Sequence, residues 1–397
     1  MQHFITVPEA QALIAKQPKN WGTETIFLED AYYRTLAEEV CADRDYPPFN
    51  RAAMDGIAIR SGDFLEHKIS NFQIVEELIA GAIPQHSITK GQCFRIMTGA
   101  AVPPSANAVV KIEDCKVTDS FVAVNEGSQI KPWLNIALQG EDAKAHQIIL
   151  QRGSVINATV LATLASVGKK EILVFKKPTI AIIATGNEIV KINENILPHQ
   201  IRNSNTYALV GLIESLGLKI TQNHLVSDNK AELKKTLQQA ITCDVIIITG
   251  GVSMGTADFV PQVLMGNGIT PLFHKVKIKP GKPIWFGANG NSTVFALPGN
   301  PMSVQTTFKV FVEPYLQQVA QLPKVSMYLP MSVGRKQKVL LDEYFSCTLE
   351  GNPTTLLPIP NNGSGDIISN IKSHGIALHA SATGDLASGD VVKFISW

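Results

Sequence analysis

The 397-residue chain has few cysteines, no long apolar run and almost no net charge, and each absence excludes a class of protein. Its cysteines are odd in number, widely separated and never spaced as C-x-x-C; they are Cys41, Cys93, Cys115, Cys243 and Cys347. This pattern argues against a disulfide framework and against a zinc knuckle, and it favours a reducing compartment.

Two further absences concern membranes and charged partners. No apolar run approaches the ~20 residues needed to span a bilayer. The first residues, "MQHFITVPEAQALIAKQ", lack the cationic leader and apolar core of a secretory signal. With a formal net charge of +1, electrostatics gives no reason to expect nucleic acid or an anionic membrane as a partner. We therefore expect a cytoplasmic protein.

Nucleotide and metal motifs are also missing. The chain has neither a Walker loop nor a G-x-G-x-x-G motif at a suitable strand–helix junction, which weakens P-loop and dinucleotide-binding interpretations. None of the nine histidines has ligand spacing with another, so we interpret them as structural or surface residues. The 45% hydrophobic and 17% charged residues are ordinary for a globular enzyme.

The centre of the chain has the pattern of a β-α-β protein. From Pro178, the apolar runs "PTIAIIATG" and "DVIIITGG" alternate with the helical segments "NSNTYALVGLIESLG", which ends at Gly217, and "NKAELKKTLQQAITC". Thr6 and Glu9 have capping-box spacing at an earlier helix start, where Pro8 is tolerated. Such alternation predicts a parallel sheet covered by helices.

Three predicted strand ends carry small or polar residues, in "ATGNE" (184–188), "TGGVSMG" (249–255) and "LPGNP" (297–301). Ligands of open parallel sheets collect at the carboxyl ends of strands, and glycines let backbone N–H groups approach an anion. Any one of these segments alone is equally well an ordinary turn. Three in one sheet, with Glu188 and Asp258 beside two of them, favour a binding site.

The residues that follow these turns extend this interpretation. Asn300 can cap a helix whose first turn contains Pro301. Carboxylates beside an anion cradle suggest a bridging Mg²⁺, which takes one or two carboxylates plus phosphate oxygens.

Cations that could offset phosphate charge follow in "HKVKIKPGKPIWFG", namely Lys275, Lys277, Lys279 and Lys282. Strand alternation predicts that the first three share one face. A solvated edge strand explains these lysines equally well as a phosphate grip.

The motifs together resemble one family. "PPFNRAAMDGIAI", "RIMTGAAVPPSANAVVKIED", "GED", "IATGNEIV", "DVIIITGGVSMGTADFV", "KVKIKPGKPIWFG", "LPGNPMS" and "NGSGDIISN" occur in the order seen in molybdopterin molybdenumtransferases. The chain is similar also to the E domain of the scaffold protein gephyrin. The resemblance covers essentially the whole chain, and the motifs are specific in combination.

The resemblance implies an α/β plus β-rich, elongated multidomain fold. It implies an α/β, molybdopterin-binding-like domain with a parallel sheet (1–26 and 178–326) and a linking and dimerisation domain (27–45 and 147–177). The remainder would be a β-rich lobe (46–146) and a small C-terminal β-barrel (327–397). The family's activity is Mg²⁺-dependent insertion of molybdate into adenylylated molybdopterin with release of AMP. Its implied partners are a second copy, in a homodimer with a shared active site, and the adenylyltransferase of the preceding step.

The resemblance also assigns site residues. Catalytic roles fall to Asp55, Asp258, Lys275 and Lys279, and metal binding falls to Glu188 and Asp258. The resemblance gives cofactor binding to Thr98, Asp142, Glu188, Asp228, Pro298, Pro301 and Ser364. The glycine-rich turn, the lysine-rich segment and the turn before Pro301 add Gly250, Gly251, Ser253, Gly255, Lys282 and Asn300 to the predicted cofactor-binding set. Simpler roles compete with some of these: Asp55 and Thr98 can serve turns, and Asp228 can be the N-cap of the following helix.

Two departures from the family pattern keep other functions open. Relatives usually carry a basic pair before "GED", where this chain has Ala137 and Leu138, and often serine in place of Ala52. Loss of two guanidinium groups removes bidentate anion contacts. The alternatives are a weakened paralogue, a scaffold protein with the same fold, and an adenylyltransferase or nucleotide pyrophosphatase relative. The β-rich segments flanking the α/β region argue against the last two enzymes.

Overall fold

The computed structural model describes residues 4–17, 21–252 and 259–397. Its contacts divide the chain into two units. Unit 1 comprises Met1–Thr25, Tyr33–Thr35 and Leu173–Trp397, and unit 2 comprises Ile26–Tyr32 and Leu36–Ile172.

The helices of the described residues are short. They are α1 (Val7–Ala15), α2 (Ser61–Leu65), α3 (Ala158–Ser166), α4 (Asn205–Glu214), α5 (Lys230–Ala240), α6 (Val260–Gly266), α7 (Pro301–Thr307) and α8 (Glu313–Val319). A π-helical turn, Phe308–Val312, joins the last two. None of these helices is long and apolar enough to cross a membrane.

The strands are numbered in chain order. They are β1 (Thr23–Phe27), β2 (Val40–Cys41), β3 (Arg51–Ala52), β4 (Gly56–Ile59), β5 (Asn71–Leu78), β6 (Gln92–Ile96), β7 (Ala108–Lys111), β8 (Cys115–Val117), β9 (Phe121–Val124), β10 (Ile136–Ala137), β11 (Ile148–Leu150), β12 (Glu171–Phe175), β13 (Ile180–Thr185), β14 (Ile189–Val190), β15 (Ile201–Arg202), β16 (Gln222–Val226), β17 (Val245–Thr249), β18 (Thr270–His274), β19 (Ile278–Lys279), β20 (Trp285–Ala288), β21 (Thr293–Leu297), β22 (Met327–Pro330), β23 (Asp342–Glu350), β24 (Thr355–Pro358), β25 (Gly375–His379) and β26 (Val391–Ser396).

Unit 1 is built on a six-stranded sheet in the order β16-β13-β17-β21-β20-β18. The first four strands are parallel, as the sequence predicts, and β20 runs antiparallel to both of its neighbours. Every residue of β13, β17 and β21 is buried. Because helices cover both faces, these strands are apolar runs without polar alternation.

The two faces of this sheet pack into separate apolar clusters. Ile180 and Ile182 face a cluster that includes side chains of α4, the π turn and α8. Their neighbours Ala181 and Ile183 face a second cluster, which includes side chains of α5 and α6. Each fully buried isoleucine contributes about 1.5–3 kcal/mol. This packing on both faces holds the strands in place, and with them the positions of their carboxyl ends.

Helix ends in unit 1 follow the sequence signals. Thr6 and Glu9 form the predicted capping box of α1. Gly217, with φ 67°, follows α4 in the left-handed conformation that glycine adopts without strain. The N-cap of α5 is Asn229, whose side chain accepts from the N–H groups of Ala231 and Glu232. The alternative that Asp228 caps this helix is therefore wrong.

A second sheet of unit 1 contains the C-terminal strands in the order β19-β23-β25-β26-β22, with β24 beside β23. Here β19 pairs in parallel with β23, and Lys279 stands opposite Glu343. The apolar core of the sheet includes Phe345, Leu356 and Phe394. This pairing joins the lysine-rich segment to the C-terminal strands.

Unit 2 contains a third six-stranded sheet, in the order β7-β4-β6-β5-β9-β8. Alternate residues of β4 enter different apolar clusters, with Ala58 in one and Ile57 and Ile59 in the other. The short pairs β3–β10 and β2–β11 complete the unit. The expected combination of α/β and β-rich parts is confirmed, whereas the four predicted domain boundaries stay a prediction.

Candidate functional site

A cavity of about 1680 Å³ in unit 1 lies at the carboxyl ends of β13, β17 and β21. The turns after these strands line it with Thr185 and Gly186, with Gly250 and Gly251, and with Pro298 to Asn300. Residues of the β19 turn and of the C-terminal sheet line it further. The three strand ends singled out in the sequence therefore meet in one cavity.

The glycine pair after β17 is required by space and by backbone conformation. Gly250 and Gly251 have φ of 94° and 62°, values that favour glycine. A Cβ at Gly250 would lie 2.2 Å from the Thr185 carbonyl oxygen, and one at Gly251 would lie 2.6 Å from a Val260 methyl carbon. The backbone at the end of β17 thus borders the cavity with almost no side-chain bulk.

Asp228 links the ends of β13 and β16. Its carboxylate accepts from the Thr185 hydroxyl at 2.7 Å and from the Asn187 N–H at 3.4 Å. Its own N–H donates to the Asn187 side-chain oxygen at 2.9 Å. These reciprocal contacts hold the two strand ends together beside the cavity, which Asp228 lines.

Glu188 is the described member of the predicted metal pair. It is exposed and lines the cavity, and its Oε2 lies over Gly186, where an added Cβ would come within 2.9 Å. Among the residues that the structure describes, no group of three or more His, Cys, Asp or Glu could hold a metal ion. Asp258, Ser253 and Gly255 lie outside the described residues.

Lys275 is buried whereas Lys277 and Lys279 are exposed, so the prediction that these three lysines share one face is wrong. Lys275 has φ 73°, which breaks the extended alternation before β19 begins. It is 4% exposed and lies 5.8 Å from the Phe4 ring centroid, and the cavity lining does not include it. Lys279 and Lys282 line the cavity. Lys277 is exposed.

The turn after β21 is tied to the C-terminal sheet region. Asn300 donates through Nδ2 to Ser364 Oγ at 2.8 Å, and the Met302 N–H donates to the Ser364 carbonyl at 3.0 Å. Asn300 occupies the N-cap position of α7, but its side chain makes no capping hydrogen bond, in contrast to the prediction. Pro301 lies in the first turn, as expected. Pro298 and Ser364 both line the cavity.

Glu343 and Arg335 also line the cavity, and sequence reasoning missed both. Glu343 Oε1 lies 3.1 Å from Lys279 Nζ, and its Oε2 lies 2.9 Å from Arg335 Nη2. Burial opposes ionisation of Glu343, but the contacts of Arg335 and Lys279 outweigh it and hold the pKa of the carboxyl below its usual range. In the sequence, Arg335 belongs to the basic run "RKQK". Nothing in that run predicts that Glu343 stands opposite Lys279 in a neighbouring strand.

Three predicted site residues belong to unit 2. Asp55 Oδ1 accepts from the Thr98 hydroxyl and from the Thr98 N–H, both at 2.6 Å. These two hydrogen bonds, the hydroxyl first, lower the pKa of Asp55, which is exposed. Asp142 is exposed, and its N–H donates to the Tyr46 carbonyl at 2.9 Å. Asp55 and Thr98 thus form a pair, and Asp142 makes no contact with them among the hydrogen bonds of the described residues.

Comparison with known proteins places the chain in a family. Residues 5–168 match the model of the MoeA N-terminal region (domain I and II), and residues 181–318 match that of a probable molybdopterin binding domain. The molybdopterin molybdenumtransferase of Staphylococcus epidermidis is 30% identical over 403 residues, which cover 98% of this chain and 95% of that protein. That of Synechocystis sp. is 30% identical and covers 99% of this chain and 100% of its own length.

The chain belongs to the molybdopterin molybdenumtransferase family. The solved structure of a molybdopterin biosynthesis moeA protein from Pyrococcus horikoshii OT3 has a TM-score of 0.86 at 27% identity, with 100% of both chains covered. The expected family, the transferase class and the fold are confirmed by these likenesses.

The departures from the molybdopterin molybdenumtransferase pattern lie in unit 2. Ala52 is buried on β3. Ala137 lies directly opposite Arg51 in the β3–β10 pair. The Leu138 side chain is 37% exposed, and its N–H donates to Glu141 Oε2 at 2.9 Å. Leu138 belongs to neither of the two apolar clusters that the structure describes around the sheet of unit 2, so these clusters do not explain the missing basic pair.

Proposed function

We propose that the protein inserts molybdenum from molybdate into adenylylated molybdopterin and releases AMP, with Mg²⁺ as the divalent cation. Family membership over the whole chain is the observation that carries this proposal. The name of these relatives describes transfer of molybdenum, and cleavage of the adenylate is our inference.

The size of the cavity supports a substrate with two parts. At about 1680 Å³ it exceeds the ~300–1000 Å³ typical of small-molecule pockets. A pterin joined through a pyrophosphate to adenosine is a larger ligand than such pockets take. The cavity is lined by glycine turns and lysines as well as by polar side chains such as Asp228 and Ser364, which offers separate places for the oxyanions and for the organic groups.

The cavity residues divide into two chemical groups that suit this substrate. Gly250 and Gly251 line the cavity without side chains, which lets a phosphate or molybdate approach the backbone. Lys279 and Lys282 supply positive charge toward the same space. We infer that the lysines attract the oxyanions and stabilise negative charge on the departing AMP. Asp228 and Ser364 then act as polar contacts for the pterin end.

The carboxylate of Glu188 is suited to binding a divalent cation. Its carboxylate is a hard oxygen ligand at the cavity, and Mg²⁺ commonly uses one or two such ligands with substrate oxygens and waters. Asp258 stays the predicted second ligand. When bound there, Mg²⁺ would polarise a phosphoryl oxygen. Glu188 would hold the cation through its exposed carboxylate, which lines the cavity.

A homodimer with a shared site stays part of the proposal. The pair Asp55–Thr98 and Asp142 belong to unit 2, whereas the cavity belongs to unit 1. In the family resemblance, the corresponding lobe faces a partner subunit. Light scattering tests this part, since a monomer of about 43 kDa at micromolar protein would contradict a shared site.

The experiment that tests the function is release of AMP. Purified protein is incubated with adenylylated molybdopterin, molybdate and Mg²⁺, and AMP is measured by chromatography. We expect release only with all three, and a fall of about 10²-fold in Glu188→Gln. The exposed Glu194→Gln in the same segment is the matched control. Release without molybdate would instead favour the nucleotide pyrophosphatase alternative.

A further inference from the structure

A chain of charged side chains leads from the cavity into the C-terminal sheet. Lys279 Nζ lies 3.1 Å from Glu343 Oε1, and Arg335 Nη2 lies 2.9 Å from Glu343 Oε2. The second contact is an ion pair outside hydrogen-bond geometry. Arg335 Nη1 donates to His379 Nδ1 at 2.7 Å, and His379 Nε2 donates to the Gly384 carbonyl at 2.5 Å. A half-exposed lysine is thereby linked to buried side chains of the C-terminal sheet.

The inner end of this chain is rigid. The Arg335 guanidinium carbon lies 4.4 Å from the Phe345 ring centroid, and its backbone exchanges two hydrogen bonds of 2.9 Å with Leu386. Since arginine can only donate, His379 accepts at Nδ1 and carries its proton on Nε2. His379 is 1% exposed. Arg335 therefore has a fixed position from which it holds Glu343.

The outer end of this chain of charged side chains is exposed. The Lys279 side chain is 46% exposed, and β19, which carries it, is only two residues long. Glu343 is its register partner in the parallel β19–β23 pair, so the fold itself sets the two side chains side by side. An ammonium has three donors, and one carboxylate oxygen engages one of them. The other donors stay available to a ligand in the cavity.

Stability alone does not explain a carboxylate in this position. Glu343 is 8% exposed, and a charge at this depth loses hydration that ion pairing only partly restores. A buried ion pair is commonly no more stable than apolar side chains of the same volume. Neither does direct ligand binding explain it, because a carboxylate repels the phosphate and molybdate oxygens of the proposed substrates.

We propose that Glu343 is a positioning residue, which aims the Lys279 ammonium into the cavity and is itself held in place by Arg335. The role rests on the proposed function, in which Lys279 contacts the oxyanions. Glu343 acts through Lys279, and the C-terminal sheet contributes to turnover through this contact.

A positioning role of Glu343 predicts different changes in binding and turnover from a role of its charge alone. Removal of the Glu343 carboxylate makes the cavity more positive, so binding of molybdate alone should be unchanged or tighter. Turnover should nevertheless fall, because a displacement of about 1 Å at a reacting group can cost up to roughly a hundredfold in rate. A merely structural carboxylate would instead weaken binding and turnover together with the melting temperature.

The experiment compares Glu343→Gln with Glu350→Gln, an exposed glutamate on the same strand that serves as the control. AMP release from adenylylated molybdopterin gives kcat and KM, calorimetry with molybdate alone gives binding, and a thermal melt reports folding. Each glutamine variant is also made in the Lys279→Ala background. We expect kcat to fall about tenfold in Glu343→Gln with molybdate binding not weakened. In the Lys279→Ala background, we expect Glu343→Gln to cause no further fall in kcat.

Each result decides the matter. Unchanged kcat in Glu343→Gln overturns the proposal. It is also overturned if Glu343→Gln lowers kcat about tenfold in the Lys279→Ala background, since Glu343 would then act without Lys279. If Glu343→Gln melts too low to assay, Arg335→Met, which loosens Glu343 while keeping its charge, should reproduce the kcat fall, and its failure to do so contradicts the proposal. Full turnover in Lys279→Ala alone removes the role of Lys279 in the proposed function, and with it that of Glu343. Absence of AMP release by the unsubstituted protein refutes the proposed function itself.

Discussion

Unit 1 and unit 2 both hold residues that the family resemblance assigns to the active site, but they present them in different ways. In unit 1, the cavity is bordered by backbone turns such as Gly250, which stand directly on buried strands. In unit 2, Asp55 and Thr98 form an exposed pair joined by two hydrogen bonds. Substitutions at the cavity turns should therefore change stability and activity together, whereas those at the exposed pair should change activity alone.

The largest expected effect is that of Gly250→Ala. The new Cβ would lie 2.2 Å from the Thr185 carbonyl oxygen, and φ 94° is strained for alanine. We expect a loss of about 3 kcal/mol or more in the free energy of unfolding, measured by urea denaturation, together with loss of AMP release.

The control for this change is Gly266→Ala in α6, where nothing lies within 4 Å of the added Cβ. There we expect a gain of up to about 1 kcal/mol, since alanine is the better helix former. Equal stability of the two variants would show that the backbone at β17 can relax, and the contrast between the units would lose its basis.

Asp258→Ala should have the next largest effect, on activity. Asp258 lies outside the described residues, and its predicted role is to hold the cation with Glu188. We expect metal-dependent AMP release to fall by about 10²-fold or more with an unchanged melting temperature. Glu214→Ala, which removes an exposed carboxylate at the end of α4, is the control. Full turnover of Asp258→Ala would show that Asp258 does not hold the cation and serves only in a turn.

Asp55→Asn tests unit 2. The amide keeps the shape of the side chain but loses the negative charge of the oxygen that accepts from Thr98. We therefore expect turnover to fall by at least about tenfold with little change in the melting temperature. Because the pKa of Asp55 is lowered in the folded state, its contribution to stability is present above the ordinary aspartate value of about 3.9 and is lost as the pH falls through the folded-state pKa.

Melts of Asp55→Asn and of the parent protein should therefore differ slightly at pH 7 and converge as the pH falls through the lowered folded-state pKa of Asp55. The exposed Asp119→Asn serves as the control in the same unit. A large loss of melting temperature in Asp55→Asn at neutral pH would mean that the exposed pair, like the cavity turns, carries part of the fold.

The sequence predicted the α/β part of unit 1 well because its signals are local. Apolar runs at β13 and β17, the capping box of Thr6 and the left-handed Gly217 each act within a few residues. The prediction that Lys275 shares a face with Lys277 and Lys279 was wrong, because strand alternation in the sequence does not reveal the positive φ of Lys275. Glu343 was missed because its pairing with Lys279 spans distant segments, and only the fold brings β19 beside β23.

The smallest expected effect concerns the missing basic pair of unit 2. Leu138→Arg restores one guanidinium at an exposed position, whereas Ala137→Arg would place a second cation directly opposite Arg51, where like charges repel. We expect Leu138→Arg to tighten binding of adenylylated molybdopterin by about tenfold through a contact of about 1.5 kcal/mol, measured by titration calorimetry.

The melting temperature of Leu138→Arg should not change, because the leucine side chain is 37% exposed and its removal from apolar contact costs little. Leu65→Arg, at 39% exposure in the same unit, separates a local contact from a general gain of positive charge. Equal tightening in both variants would mean long-range attraction only, which 0.5 M salt should abolish. A lower melting temperature with unchanged affinity would mean that this segment of unit 2 has been repurposed. Tighter binding by Leu138→Arg alone is the expected result, because Asp142 remains exposed four residues further along the same segment.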